Sequence, residues 1–181
     1  MERKKRVNID KNIEVIIANN SNKRIIFDSA RLSTQIDLHQ KGDEEYVTVG
    51  DLRAMINANR KLFESFTLIV TDIVDDEYTL EDLFTFVGLE KAYKEYYSLR
   101  PNNKDKSVSV EDIENFILKS NSERFATILK DVGGLLRKKI IEESIALFRE
   151  SELTDFNKMQ AIEEITGNEE LFLDVRESMA Y

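Results

Sequence analysis

The chain has 181 residues, 41% of them hydrophobic, and a formal net charge of −9. This is enough apolar material for one ordinary domain or two small ones, and the acidic balance argues against a broad nucleic-acid-binding face, which needs clustered Lys and Arg. The absence of cysteine excludes disulfides, thiolate metal ligands and a cysteine nucleophile, and no apolar run reaches the ~18 residues of a membrane span, so a cytoplasmic setting without membrane contact is expected.

Residues 1–11 read as a flexible basic arm, because Arg3-Lys4-Lys5-Arg6 carries no apolar segment behind it of the kind a secretory signal requires. It is also the one stretch through which nucleic acid or an acidic partner would be touched.

From 12 to 76 the pattern predicts a small antiparallel β domain with one packed helix. Ile13–Ala18 and Arg24–Asp28 are apolar, β-branched runs separated by Asn19-Asn20-Ser21-Asn22, a turn-favouring cluster, which together spell a hairpin. Thr34–Leu38 alternates, Gln40-Lys41-Gly42-Asp43 supplies a turn, and Tyr46-Val47-Thr48-Val49 resumes the alternation as a second hairpin. The period then changes. Leu52, Met55, Ile56, Asn59 and Phe63 recur at three and four, one buried stripe of a helix starting at Thr48 or Gly50. Phe66–Thr71 is an uninterrupted β-branched and aromatic run, the signature of a central strand.

From 77 to 181 the reading is helical, which makes the whole an α+β chain. Leu80–Val87, Glu90–Leu99, Val110–Lys119, Ser122–Leu129, Leu135–Glu150, Phe156–Ile165 and Glu169–Met179 carry apolar residues at helical spacing, with Gly88, Pro101, Gly133-Gly134 and Gly167 as punctuation. In the longest segment Leu136, Ile140, Ile141, Ser144, Ile145, Leu147 and Phe148 form the stripe, and Lys139, Glu142 and Glu143 fall on the charged face. Thr48-Val49-Gly50-Asp51-Leu52, Thr79-Leu80-Glu81-Asp82-Leu83 and Ser109-Val110-Glu111-Asp112-Ile113 look alike. The stretches between them do not, so the three are read as helix starts: a hydroxyl cap, then a carboxylate against the positive end of the dipole.

Four features invite a chemical reading. Asn103–Glu114 places oxygen-bearing side chains at Asp105, Ser107, Ser109, Glu111 and Glu114 and resembles an EF-hand calcium loop. Val108 stands where that loop needs glycine and Asn103 where it uses Asp, so an ordinary loop closed by a Ser109 cap is preferred. Asp72, Asp75, Asp76 and Glu77 could hold magnesium for phosphate chemistry, yet no glycine-rich phosphate loop accompanies them. His39, the sole histidine, lacks a Gly-x-Ser-x-Gly elbow to serve. Tyr93, Tyr96 and Tyr97 are too many for one buried stripe, so their helix either packs internally or offers a partner patch. These three, with Ile25 and Phe27 on the edge of the first hairpin, are the candidate interface residues; no catalytic residue, metal ligand or cofactor is assigned.

Ile13–Ala18, Gly42–Met55, Phe66–Asp72 and the closing run Asn157-Lys158-Met159-Gln160-Ala161-Ile162-Glu163-Glu164-Ile165-Thr166-Gly167 together resemble small accessory proteins of tailed bacteriophages of low-GC bacteria. The resemblance implies a virion or assembly component that works through contacts with capsid, neck or tail proteins. The expected function is therefore non-enzymatic, a structural or assembly protein acting in an oligomer or larger assembly. The alternative is an acidic regulator that binds and inhibits a host nucleic-acid-binding protein through Asp72, Asp75, Asp76 and Glu77.

Overall fold

The structure, a computed structural model, describes residues 8–28, 35–102 and 106–179. It is mixed α+β and divides into two compact units, one running through Tyr97 and including Asn102–Val110, the other made of Ser98–Pro101 and the chain from Glu111. The expected boundary at 76/77 therefore falls inside the first unit.

In the first unit β1 (Glu14–Asn19), β2 (Ile25–Phe27), β3 (Ile36–Leu38), β4 (Glu44–Thr48) and β5 (Leu68–Ile73) supply the strands among the described residues, α1 (Val49–Glu64) follows β4, and α2 (Leu80–Val87) and α3 (Glu90–Tyr96) follow β5. Neither expected hairpin forms. β1 pairs antiparallel with β4 and β5 in the order β4-β1-β5, while β2 pairs with β3 in a separate two-stranded sheet. The central strand is thus β1, and the run expected at the centre, β5, lies at an edge.

Asn19 explains why the Asn19–Asn22 cluster does not close a hairpin. Its side chain is fully buried, donating to the carbonyls of Lys23 and Leu38 at 2.8 and 3.3 Å and accepting from the Ser21 N–H and hydroxyl at 2.9 Å each. Asn20, also buried, donates to the Phe66 carbonyl at 3.0 Å. Two amides that read as turn formers are the internal junction where β1 hands the chain to the second sheet; buried polar groups persist when they are paired.

Thr48 caps α1 by accepting from the Asp51 N–H at 3.1 Å, one of the two starts foreseen. Leu52, Met55, Ile56 and Phe63 are buried as expected, but Asn59 is exposed and breaks the helical backbone, so the stripe is interrupted there. Phe66, in the turn into β5, holds a positive φ of 57°, a conformation that costs a bulky residue about 1–3 kcal/mol. Its ring is stacked on Tyr96 at 5.0 Å and meets Tyr93 edge-on at 5.8 Å. Thr79 and Asp82 form a reciprocal capping box at the start of α2, and Gly88 ends it in the left-handed conformation, where its carbonyl accepts from Arg60.

Residues 8–11 are anchored, contrary to a loose arm over 1–11: Ile9 is buried, the Gly50 N–H donates to the Lys11 carbonyl at 2.9 Å, and the Tyr78 hydroxyl donates to the Asn8 carbonyl at 3.2 Å. The basic tip itself lies outside the described residues.

The second unit is helical: α4 (Asp112–Lys119), α5 (Ser122–Asp131), α6 (Gly134–Arg149), α7 (Phe156–Thr166) and α8 (Leu171–Ser178). Phe116 and Phe125 stack at 5.4 Å, and Ile140, Leu147 and Ile162 are buried in the same unit. Long cations finish the helix ends. Arg137 donates to the carbonyls of Leu129, Lys130 and Val132 at 2.7–2.9 Å, closing α5. Lys158, buried, donates to the Ile117 carbonyl at 2.7 Å at the end of α4. Burial holds its amine below the ordinary lysine range. α4 begins at Asp112, three residues beyond Ser109, with Glu111 at its N-cap position. On α6, Lys139 and Glu143 are buried as an ion pair at 3.5 Å instead of lying on the charged face, because four-residue spacing lets them neutralise each other.

Asp155 ties α5 to α7. Its carboxylate accepts from the Ser122 hydroxyl at 2.8 Å and from the N–H groups of Asn157 and Lys158 at 3.0 and 3.2 Å, and these bonds, the Ser122 hydroxyl first, hold it below the usual carboxylate range. A lowered carboxylate pKa means that the unfolded state takes up the proton first on acidification, so the stabilisation is present above the ordinary Asp range and lost as pH falls through the folded value. Replacing Asp155 by alanine should cost about 0.5–2 kcal/mol at neutral pH. Thermal melts of both proteins from pH 7 to pH 3 check this: the gap should close in acid.

Candidate protein interface

Of the two readings open for Tyr93, Tyr96 and Tyr97, internal packing is the one observed, so as candidate interface residues they are corrected. Tyr93 and Tyr96 are fully buried and Tyr97 is 4% exposed. The Tyr93 ring stacks on Phe84 at 3.5 Å, and its hydroxyl accepts from the Val70 N–H at 3.0 Å, far from water, with burial pushing the phenol pKa up. The Tyr96 hydroxyl donates to the Ser109 carbonyl at 2.9 Å, and Lys106 sits over the Tyr97 ring at 4.7 Å. Tyr93 and Tyr96 are accommodated because Phe66 lies against both rings and Phe84 stacks on the first. Ile25 is buried too, paired with Leu38, and Phe27 is half-buried; the residue that β2 turns outward is Ile26, 54% exposed.

The chemical candidates are engaged locally. Asp37 is gripped by Arg24 at 2.7 and 2.5 Å, which holds its carboxyl below the usual range, and exposed His39 lies 3.6 Å away. Asp72 and Asp75 accept from the N–H groups of Ile73 and Glu77 at 2.8 and 2.7 Å, along an open groove at the end of β5 that Tyr78 and Leu80 also line. The calcium-like stretch lies partly outside the described residues; within it Val108 is buried, and Asp112 is paired with Arg100 at 2.6 Å. Among the described residues no three His, Cys, Asp or Glu side chains gather as a metal site, and no helix is long and apolar enough to cross a membrane.

The two edges of the main sheet differ. On β5 the outward N–H of Val70 is taken by Tyr93. On β4 the ladder to β1 is bracketed by Val49 N–H to Ile13 carbonyl at 2.8 Å and Asn19 N–H to Asp43 carbonyl at 2.9 Å. In an antiparallel ladder, bonded and non-bonded pairs alternate. The pairs Glu14–Thr48, Ile16–Tyr46 and Ala18–Glu44 are then the non-bonded ones, and they direct the N–H and C=O of Glu44 and Tyr46 and the N–H of Thr48 away from β1, to the side where the sheet has no further strand among the described residues, while the Thr48 C=O enters the first turn of α1. Tyr46 is 54% exposed there, while Val47 beside it is buried.

No family model, curated protein or solved structure matches this chain.

Tyr46 was missed in the sequence as an interface residue, although the signal for it was present. Val47 and Val49 fix the inward face, so alternation turns Tyr46 outward between Glu44 and Thr48, an aromatic ring on the polar side of a strand.

Proposed function

We propose that this protein is a non-enzymatic assembly component that works through protein–protein contacts, with β4 as its contact strand. The observation that carries the reading is the edge of β4 that no other described strand shares: outward N–H and C=O groups at Glu44 and Tyr46 beside an exposed aromatic ring. Such an edge accepts a strand from a neighbour, the backbone supplying affinity and the ring a specific contact. The resemblance to accessory proteins of tailed bacteriophages supports the same role, with capsid, neck or tail proteins as the neighbours.

Tyr46→Pro tests it. The substitution removes an N–H that faces away from β1, so the β1–β4 ladder stays intact and the melting temperature should change little, as is usual for proline on an edge strand. Wild-type protein should form an assembly, with itself or with another protein, in light scattering and in capture from its source cells, and the variant should lose it. A wild-type chain that stays monomeric and captures nothing, or an assembly that Tyr46→Pro leaves untouched, overturns the reading.

A further inference from the structure

Resting on that reading, we infer that the strand seated on β4 is β4 of a second copy, antiparallel, with the two-fold axis passing at Tyr46. The argument is one of register. Two copies of a strand related by a two-fold axis oppose residues symmetrically about its centre. Centred on Tyr46, the strand sets Tyr46 against the second copy's Tyr46, Glu45 against Val47 and Glu44 against Thr48. No carboxylate then opposes another. Centring on Glu44 or Glu45 would place two glutamates face to face, an arrangement that strands penalise. Centring on Val47 would bring Glu44 against Gly50, the second residue of α1, where the strand has ended.

The backbone agrees with the charges. In the Tyr46-centred register Tyr46 bonds reciprocally with the second copy's Tyr46, and the Thr48 N–H meets the second copy's Glu44 C=O, all groups that face away from β1; the Thr48 C=O stays in the first turn of α1. An acidic chain of net charge −9 can approach its own copy here because the strand's glutamates are staggered past one another. A five-residue edge is small beside the ~800 Å² per partner of a stable interface, so the pairing is reversible and grows with concentration.

The absence of cysteine supplies the test. In the Tyr46→Cys variant the two thiols would come from residues about 5.5 Å apart at Cα, inside the span a disulfide bridges. Under mild oxidation this variant should link to a dimer at least about tenfold faster than Glu44→Cys or Glu45→Cys, whose thiols face other residues. Light scattering on the unmodified chain runs alongside, and its mass should rise towards twice the monomer with concentration, while Tyr46→Pro stays monomeric. Equal linking rates for the three cysteine variants, or a wild-type monomer at every concentration, overturns self-pairing. A different protein that the wild type captures and Tyr46→Pro does not would then leave the contact-strand reading standing with a foreign partner; a dimer that survives in Tyr46→Pro sinks both.

Discussion

Truncating Tyr93 to alanine is expected to destabilise the first unit by about 3–5 kcal/mol. The ring stacks on Phe84, meets Phe66 and Tyr96, and is fully buried, so its removal leaves a void that rigid neighbours cannot fill. Tyr93→Phe separates packing from hydrogen bonding. It keeps the ring but strands the Val70 N–H, which should cost about 1–3 kcal/mol. Urea melts of the three proteins check the order, and hydrogen exchange at Val70 should speed up selectively in the phenylalanine variant.

Phe125→Ala should have a comparable effect in the second unit, about 3–5 kcal/mol by the same reasoning, since Phe125 is fully buried and stacked on Phe116. A second consequence follows from its position. Lys158 lies 6.0 Å from the Phe125 ring centroid, and its lowered pKa comes first from burial. For a depressed lysine, the unfolded chain binds the proton more readily than the native one, so stability rises as pH climbs from the folded value towards the ordinary lysine range. Opening the site to water should weaken that rise. Denaturant midpoints between pH 7 and pH 10.5 should therefore climb less in Phe125→Ala than in the wild type; an unchanged slope would mean that Lys158 is not desolvated by this ring.

Local structure was legible where its signals are local. α2 occupies Leu80–Val87 as read, because Thr79 and Gly88 mark its ends chemically, and Gly133 at the N-cap of α6 and left-handed Gly167 at the C-cap of α7 fall where the glycine punctuation stands. Strand partners were not legible, since pairing is decided by residues far apart in the chain. The Asn19–Asn22 cluster has the composition of a turn, and only the positions of Lys23 and Leu38 show that Asn19 is an internal staple. Lys139 and Glu143 misled for a related reason: charge predicts a wet face until two opposite charges share one dry one. At the candidate site, Tyr93, Tyr96 and Tyr97 with interspersed charges look like a surface helix, and it takes Phe66 and Phe84 from other elements to turn them inward. Tyr46, by contrast, follows from alternation alone.

The placement of β1 between β4 and β5 also bears on how the chain is born. Its two flanks are filled by segments that emerge later from the ribosome, the second of them only when Leu68–Ile73 has been made. Until then a nascent chain carries an apolar ribbon, Val15, Ile16 and Ile17, with nowhere to go. Pauses in synthesis before that point should favour aggregation of the incomplete polypeptide, and a slow, late step in refolding should report the arrival of β5.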